Sequence, residues 1–398
     1  MNRRITVKYC FLQGGYWTLA AVAMAFTTPL LEAKGFSGTE IGILSAVKYL
    51  AVLIFQMVHA EKVPLQRMLI LMTFVNIIFS FLFYLTGHTM WMAMLTLIIF
   101  GMTIHCASPL VDSLSIQYMN HGVKMNYAIS RACGSLCWAV FCVVVGLIAD
   151  AFGANRILIF QIIVSFLFAF FAFNMDAVDF SKERKKKEKT GDLASENPDT
   201  ECEIGEVHSC FYLLKHFPKY SLFLLGLVFV FAAYNMNSTF LIDWIEGMGG
   251  NHADYGMAQF VLAMAEIPVA LVFYRIRGRV SIDKLMVVCA FFCFLRATAT
   301  TFSGSVTLVI LSQALELLGL SIYYVGTVYF VMDYLPQADA VKGASLINLA
   351  GMGLGEMAGS ISCGLIKDAF GLRNLMLLSS GVGFVGVVVM VWMWRRLK

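Results

Sequence analysis

Long apolar runs alternate with short polar breaks along most of the 398 residues of this chain. A run of about 20 apolar residues is long enough to cross the hydrocarbon core of a bilayer as an α-helix. Backbone groups in lipid must be hydrogen-bonded within their own segment, so each run predicts a helix rather than an open strand. We therefore predict an all-α membrane protein with twelve transmembrane helices. The predicted helices span residues 7–32, 39–60, 66–86, 90–119, 124–151, 154–175, 219–246, 252–275, 283–302, 305–335, 340–369 and 372–394.

One polar segment interrupts this pattern between the sixth and seventh runs. Residues 180–209 combine a Lys-rich cluster with Pro198 and several acidic residues, and they show no apolar period. This composition is typical of a flexible, water-exposed linker. The predicted organisation is a first six-helix bundle, a cytoplasmic linker and a second six-helix bundle, at residues 1–179, 180–218 and 219–398.

Composition and the placement of charge support a membrane location. Only 14% of the residues are charged and 59% are hydrophobic, whereas soluble domains carry about 25% charged residues. Lys and Arg gather in alternate loops, and the opposite turns hold little beyond Lys34, Arg156 and Arg373. By the positive-inside rule, both termini and the linker are expected in the cytoplasm. We expect a multi-pass protein of the cytoplasmic (inner) membrane that contacts lipid, binds no nucleic acid and is a monomer.

The sequence offers no sign of catalysis or of a cofactor. The ten cysteines are scattered, without a CxxC pair or a Cys/His spacing typical of a metal site. No Walker motif is present, and no loop carries a nucleophile–base set. The chain is therefore not expected to be an enzyme, and no cofactor or metal is predicted.

A repeat relates the two predicted bundles. The segments Gly146–Gly153 and Gly364–Gly371 share seven of eight residues and close the fifth and eleventh predicted helices. A weaker sequence similarity relates Gly35–Gly42 to Gly249–Gly256. Parallel repeats related by an axis along the membrane normal are typical of transporters whose substrate site lies between the halves near the bilayer midplane.

Seven ionisable residues fall inside the predicted helices, away from their ends. A charge at mid-bilayer costs roughly 2.5–3.5 kcal/mol on insertion scales, so each such residue is a functional candidate. They are Lys48, Asp112, Arg131, Glu266, Arg296, Glu316 and Glu356.

Asp112 and Arg131 are expected to meet, because both lie about 11–12 Å from the inner boundary on neighbouring helices. They could form an ion pair that only stiffens the bundle, or they could face the cavity and bind a polar substrate. Trp138 follows Arg131 by two helical turns and shares its face. An indole beside such charges suits a sugar, whose ring has an apolar face, although Trp138 could also be a packing residue. Trp17, Trp91 and Trp244 are interpreted as interfacial anchors.

The other ionisable residues each allow two interpretations. Glu266 could be a protonated carboxyl hydrogen-bonded between helices, or it could exchange a proton during transport. Arg296 and Glu316, on adjacent helices, could form a further charge pair. Lys48 could snorkel towards the interface. Glu356 lies in a Gly-rich run that favours close helix packing, so the roles of these last two residues stay open.

Several of these residues carry a family resemblance. Pro109-Leu-Val-Asp112 and Arg131-Ala-Cys-Gly134-Ser-Leu-Cys-Trp138 resemble the lactose permease branch of the major facilitator superfamily, which includes oligosaccharide:proton symporters and permeases for phenylpropionate-type acids. Met264-Ala-Glu266 and Phe294-Leu-Arg296 are similar to further motifs of that branch. The resemblance implies the major facilitator fold, with Asp112, Arg131 and Trp138 binding substrate. It also implies that Glu266 links substrate to proton and that Arg296 is the helix-nine arginine.

The chain departs from that branch at three positions. In helix ten the family has His followed by Glu three residues later, whereas here Glu316 stands near the His position without that second acid. The helix-seven Asp of the family becomes Asn235, and its helix-eleven Lys partner is missing, with Met352 nearest. The absence of both the Asp and the Lys is consistent with their forming a pair in the family, because either one left alone would be a costly buried charge. By position, Asn235 is a substrate-binding candidate and Glu316 a proton-coupling candidate.

The expected function is secondary active transport, namely proton-coupled symport of a sugar or glycoside by alternating access. The partners would be a sugar-like solute and protons. One alternative is a proton-coupled transporter of nucleosides or aromatic acids, or an exporter of drugs or metabolites. An alternative of a different class is a membrane sensor that binds its ligand without transporting it. A long soluble signalling domain would be expected of such a sensor.

Overall fold

The computed structural model describes residues 3–57, 65–120, 127–175 and 209–395. These residues form long helices joined by short turns, and no β-strand occurs among them. We number the twelve long helical segments α1 to α12, and some of them contain a local break. The first six are α1 (3–33), α2 (Gly38–Met57), α3 (Leu65–Leu85), α4 (90–120), α5 (Tyr127–Phe152) and α6 (154–173). The last six are α7 (218–246), α8 (His252–Arg277), α9 (Ile282–Thr301), α10 (306–334), α11 (340–370) and α12 (Leu372–Arg395).

The all-α prediction is confirmed, and each predicted helix end falls within four residues of the observed one. Eight segments are long and apolar enough to cross a membrane by length and composition alone: α3 to α7 and α10 to α12. Three of the other four contain the ionisable residues Lys48, Glu266 and Arg296 within their length. These charges lower the hydropathy of their helices without ending them.

The predicted linker is described only at its end, because residues 180–208 lie outside the described ranges. Within that end, Cys210–His216 forms a short helix directly before α7. The Ser209 side chain caps this helix by accepting a hydrogen bond from the Tyr212 backbone N–H at 3.2 Å. The last part of the predicted linker is thus helical rather than irregular.

Several of the long segments carry a break within their length. π-helical turns occur in α1 at Ala21–Ala25, in α4 at Gly101–His105 and in α11 at Leu349–Gly355. In α10 the helix tightens to a 3₁₀ form at Gln313–Leu318, and α7 is interrupted at Phe240. Such breaks are frequent at functional sites, because they free backbone groups and re-aim side chains.

The described residues form three buried clusters, of which the third joins residues of the first and last six helices and the other two each belong mainly to one set of six. One is centred on residues such as Tyr16, Phe100 and Phe168 and comes mainly from α1 to α6, which we call the N half. The other surrounds Phe223 and Phe330 and comes from α7 to α12, the C half, with the short helix before α7. Each half therefore buries its own apolar core.

The two halves meet mainly where α2 crosses α11 and α5 crosses α8. Gly42 and Gly256 sit at these crossings, where an added Cβ would meet the backbone of Ser360 or of Cys142 on the opposite helix. Small residues let helix backbones approach this closely. The crossings lie towards the end of the bundle that carries the turns 34–37, 153, 247–251 and 371. We call this end the closed end, and the opposite end, where α1 begins and α12 finishes, the termini end.

Candidate functional site

Arg131, near the start of α5, stacks its guanidinium on the indole of Trp17 from α1. The guanidinium carbon lies 4.4 Å from the ring centroid, and Nη1 donates to the Ser135 hydroxyl at 3.0 Å. The indole fits against α5 because Gly134 has no Cβ, and an added Cβ would clash with the edge of the ring. This explains why a glycine three residues after the arginine matters for the site.

Gln13 of α1 connects Asp112 to this stack. Its Nε2 donates to the Asp112 carboxylate at 2.9 Å, and its Oε1 accepts the Trp17 Nε1–H at 3.1 Å. The ion pairs found among the described residues do not include Asp112 with Arg131. The expected direct pairing is therefore wrong. Gln13 and Trp17 lie between the two groups because α1 packs along α5.

Two indoles form the wall beside Arg131. The rings of Trp17 and Trp138 have centroids 5.8 Å apart and meet nearly edge to face, at 79°. Both side chains are half-buried, so part of each ring is accessible. The interpretation of Trp17 as an interfacial anchor is wrong, because the residue lies deep in α1 and within the N-half core. Trp138 and Arg131 lie on one side of α5, as their spacing predicts.

Glu266 lies on α8, which packs along α5 and so brings this carboxylate from the C half towards Arg131. Its electrostatic neighbours are Glu316, from its own half, and Arg131, from the N half. The side chain is half-buried, and Pro268 follows two residues later inside the same helix. Arg131 thus stacks on an indole of its own half, and its charge acts on a carboxylate from the other half.

Arg296 of α9 and Glu316 of α10 form a buried ion pair, as their placement on adjacent helices predicts. Their side chains are each 1% exposed, with Nε and Oε2 3.4 Å apart. Arg296 Nη1 donates to Gln313 Oε1 at 2.8 Å, and its guanidinium carbon lies 4.3 Å from the Tyr234 ring centroid. Glu316 also accepts the Leu320 backbone N–H at 3.0 Å, across the 3₁₀ break in α10. The pair is held from several sides within the C half.

Asn235 of α7 is only 6% exposed, and its side-chain amide is occupied. Its Nδ2 donates to the Tyr49 hydroxyl of α2 at 3.2 Å. Its Oδ1 accepts from Ser360 at 2.9 Å and from Thr239 at 3.2 Å. In this conformation Asn235 joins the two halves through Tyr49 instead of offering its amide to a solute.

Lys48 and Glu356, whose roles the sequence leaves open, are brought together across the halves. Lys48 is 4% exposed on α2, and its ammonium lies 4.7 Å from the centroid of the adjacent Tyr49 ring. Its charge acts on Glu356 of α11, which is also a neighbour of the Tyr49 hydroxyl. His105, in the π turn of α4, lies near Lys48, and its Nε2 is buried without a hydrogen-bond partner among the described residues.

The seven ionisable residues predicted within the bundle therefore fall into three groups. Arg296 forms an ion pair with Glu316, the charge of Lys48 acts on Glu356, and that of Arg131 acts on Glu266, while Gln13 and Trp17 connect Arg131 to Asp112. Three cations thus stand against four carboxylates in the ionised state. One carboxylate lacks a cation of its own, and a proton would neutralise it.

Comparisons with known proteins give a consistent result. Residues 9–378 match the MFS_1 like family. Among solved structures, a point mutant of the nucleoside transporter NupG aligns with a TM-score of 0.82 and 14% identity, covering 98% of this chain and 100% of that one. NupG itself aligns with a TM-score of 0.79 at 14% identity, covering 99% and 100%. A peptide transporter POT mutant bound to alafosfalin aligns at 0.67 and 12% identity, covering 98% and 92%. No curated protein matches significantly.

Proposed function

The chain belongs to the MFS_1 like family and has the major facilitator fold of a membrane transporter, and from this premise we propose that it carries a sugar-ring solute together with a proton. Transport would proceed by alternating access, with the two halves rocking about a central site. The observation that carries the proposal is Arg131, which stacks on Trp17 of its own half and whose charge acts on Glu266 of the other half.

The N half supplies what a sugar ring requires. The faces of Trp17 and Trp138 can pack on the apolar side of the ring, while Asp112 provides an acceptor and Arg131 provides donors for hydroxyls. In a site with aromatic walls, a few convergent polar groups fix the orientation of a polar ligand. Sugars and glycosides are therefore the first substrate class to test.

A nucleoside, which is a glycoside with a planar base, is the second candidate. The two indoles meet at 79°, so one could pack against a base while the other contacts the ribose. The fold likeness to the nucleoside transporter NupG, with a TM-score of 0.79, adds support at the level of architecture. Aromatic acids would instead need a cation free to bind their carboxylate, and Arg131 could serve that purpose.

Proton coupling is assigned to the excess carboxylate. Among the four carboxylates, Glu316 and Glu356 each have a cation of their own, whereas Asp112 and Glu266 share Arg131, and Asp112 is also held by Gln13 within the N half. Glu266 is then the group whose proton would change the net charge of the site. Burying an unneutralised charge is costly, so the halves would close around Glu266 more readily when it is protonated or faces Arg131.

We propose the orientation from the Lys and Arg distribution. With both termini in the cytoplasm of an inner-membrane protein, the closed end would face outwards. We further propose that the two bundles, at residues 1–179 and 219–398, are the units that move relative to each other. Arg296 and Glu316 would take part in proton coupling by fixing the electrostatic potential at Glu266.

Counterflow in proteoliposomes tests the proposal directly. Vesicles loaded with a disaccharide, a monosaccharide, uridine, adenosine or phenylpropionate are diluted into trace radiolabelled solute, and external pH is followed in parallel. We expect exchange of a sugar or nucleoside, accompanied by alkalinisation outside when net uptake is allowed. Arg131→Ala should abolish exchange, whereas Arg373→Ala, at the outer end of α12, should not. Full exchange by Arg131→Ala would refute the site.

A further inference from the structure

The repeated octapeptides that close α5 and α11 both lie against the first turn of a helix from the opposite half. An added Cβ at Gly146 would meet the backbone of His252 and Ala253, at the start of α8. At Gly364 it would meet the backbone of Gly38 and Thr39, at the start of α2. The repeat in the sequence therefore encodes the same contact twice, once on each side of the bundle.

The aspartate of each octapeptide uses this closeness to cap the opposing helix. Asp150 accepts the backbone N–H of His252 at 3.0 Å and of Ala253 at 2.9 Å. The first backbone N–H groups of a helix lack partners within it, and the helix dipole places positive potential there. Each carboxylate oxygen takes one of these N–H groups, and Asp150 Oδ1 also lies 3.1 Å from Nδ1 of the His252 side chain, so all three contacts of Asp150 are at the start of α8.

Asp368 makes the matching contact on the other side. It accepts the backbone N–H of Gly38 at 3.1 Å and of Thr39 at 2.7 Å, at the start of α2. Both carboxylates therefore stabilise a helix N-terminus only while the two halves touch at the closed end.

Both capped helices also carry a cap of their own. In α2, Glu40 accepts the Ser37 backbone N–H at 2.8 Å. In α8, Asp254 accepts the Asn251 backbone N–H at 3.1 Å, and Asn251 Oδ1 accepts the Asp254 N–H at 3.0 Å. These local capping boxes can keep the helix ends folded after the aspartate of the other half withdraws. The cross-half caps can thus break and reform without unfolding a helix.

The one position that differs between the octapeptides adds a link on one side only. Ala149 of the first copy is replaced by Lys367 in the second. Lys367 binds Glu32 of the N half at 2.8 Å and also Asp243 of its own half. The crossing of α11 with α2 is thereby reinforced by an ion pair that the crossing of α5 with α8 lacks at that position.

We propose that Asp150 and Asp368 are matched positioning residues that hold the closed end together and set the ratio of closed to open transporters. This inference rests on the proposed alternating access but not on the identity of the solute. Each carboxylate favours the closed state by two charge-assisted hydrogen bonds to a helix N-terminus. Removing one charge should raise the fraction of molecules that are open at this end.

Distance measurements between spin labels test this inference. Noncanonical amino acids at Gly87 and Gly304 place labels on the α3–α4 and α9–α10 turns at the closed end, one in each half, without disturbing native cysteines. At both positions an added Cβ meets nothing within 4 Å. The distance distribution then reports how far the halves part at that end, whether or not a transported solute is known.

We expect Asp150→Asn or Asp368→Asn to raise the ratio of long to short distances roughly tenfold each, as loss of a charged cap would do. The double variant should shift it further, and Asp254→Asn, which removes a cap within one half, should leave it unchanged. An unchanged distribution in the double variant, or an equal shift in Asp254→Asn, would overturn the inference.

If the double variant cannot be purified, Gly364→Ala wedges the same crossing and must produce the same shift. A shift in a protein that exchanges no sugar or nucleoside would keep this inference while rejecting the proposed substrate.

Discussion

Gly134→Ala offers a test of the site that leaves every polar group in place. The substitution adds one methyl group on α5, facing the edge of the Trp17 indole. The new Cβ would lie 2.9 Å from Trp17 Nε1 and closer still to the neighbouring ring carbon. Because ordinary contacts between such atoms are about 3.5–4.0 Å, the indole must retreat by roughly 1 Å.

The expected effect follows from what the indole holds. Its retreat lengthens the Trp17–Gln13 hydrogen bond, now 3.1 Å, and withdraws the ring from Arg131. A hydrogen bond of this kind contributes about 1 kcal/mol, and a desolvated cation–π contact about 1–2 kcal/mol. If half to all of this total, about 2–3 kcal/mol, is lost from solute binding, the dissociation constant should rise about 5- to 150-fold. Overpacking should also lower the free energy of unfolding by about 1–3 kcal/mol.

The assay is solute affinity by counterflow at varied concentration, combined with thermal unfolding in detergent. Gly87→Ala is the matched control, since its Cβ meets open space and should change neither quantity. Adding Trp17→Phe to Gly134→Ala should relieve the strain and recover unfolding temperature without recovering affinity, because phenylalanine lacks the indole N–H. Unchanged affinity in Gly134→Ala would refute the idea that Trp17 orders Arg131 for binding.

Three further predictions concern the buried charges. Glu266→Gln should keep counterflow but lose solute accumulation driven by a proton gradient, and continued accumulation would contradict its assignment. Glu316→Gln leaves Arg296 as a lone charge that is 1% exposed, so the free energy of unfolding should fall by about 3–5 kcal/mol. Adding Arg296→Met should restore part of this in a thermal melt, and equal losses in the single and double variants would count against the pair. Lys48→Met should impair transport, and Glu356→Gln should partly rescue it, whereas additive losses in uptake would show that the two residues act separately.

The helices could be predicted because the bilayer imposes a length on them. An apolar run of about 20 residues has one low-energy structure in lipid, and buried charges such as Lys48 do not alter it. The breaks could not be predicted in the same way. The π turn at Gly101–His105 has no composition that distinguishes it from regular helix, since it depends on how α4 packs against α2 and α3.

The sequence predicts which charged residues belong to the site, but it does not predict the contacts that these residues make. Arg131 and Asp112 stand out because charge is rare in lipid. Gln13 and Trp17 do not, since a neutral amide and an indole occur on any face of a membrane helix. Lipid-facing and core-facing positions are both apolar here, so the sequence lacks the amphipathic period that would place Trp17 inside. The Gly134 spacing was the one available signal, because it marks where another side chain approaches α5.

If Arg131 binds the solute as proposed, solute and proton influence each other. The guanidinium stacks on the Trp17 ring of its own half, and its charge acts on the Glu266 carboxylate of the other half. A solute that engages Arg131 on the Trp17 side competes with Glu266 for the same cation. With less of that cation available, the ionised form of Glu266 loses stabilisation, so solute binding favours proton uptake. By thermodynamic linkage, protonation of Glu266 must favour solute binding by the same factor. The proposed symport then needs no separate relay between the two ligands, because a single arginine at the meeting of the halves would act on both.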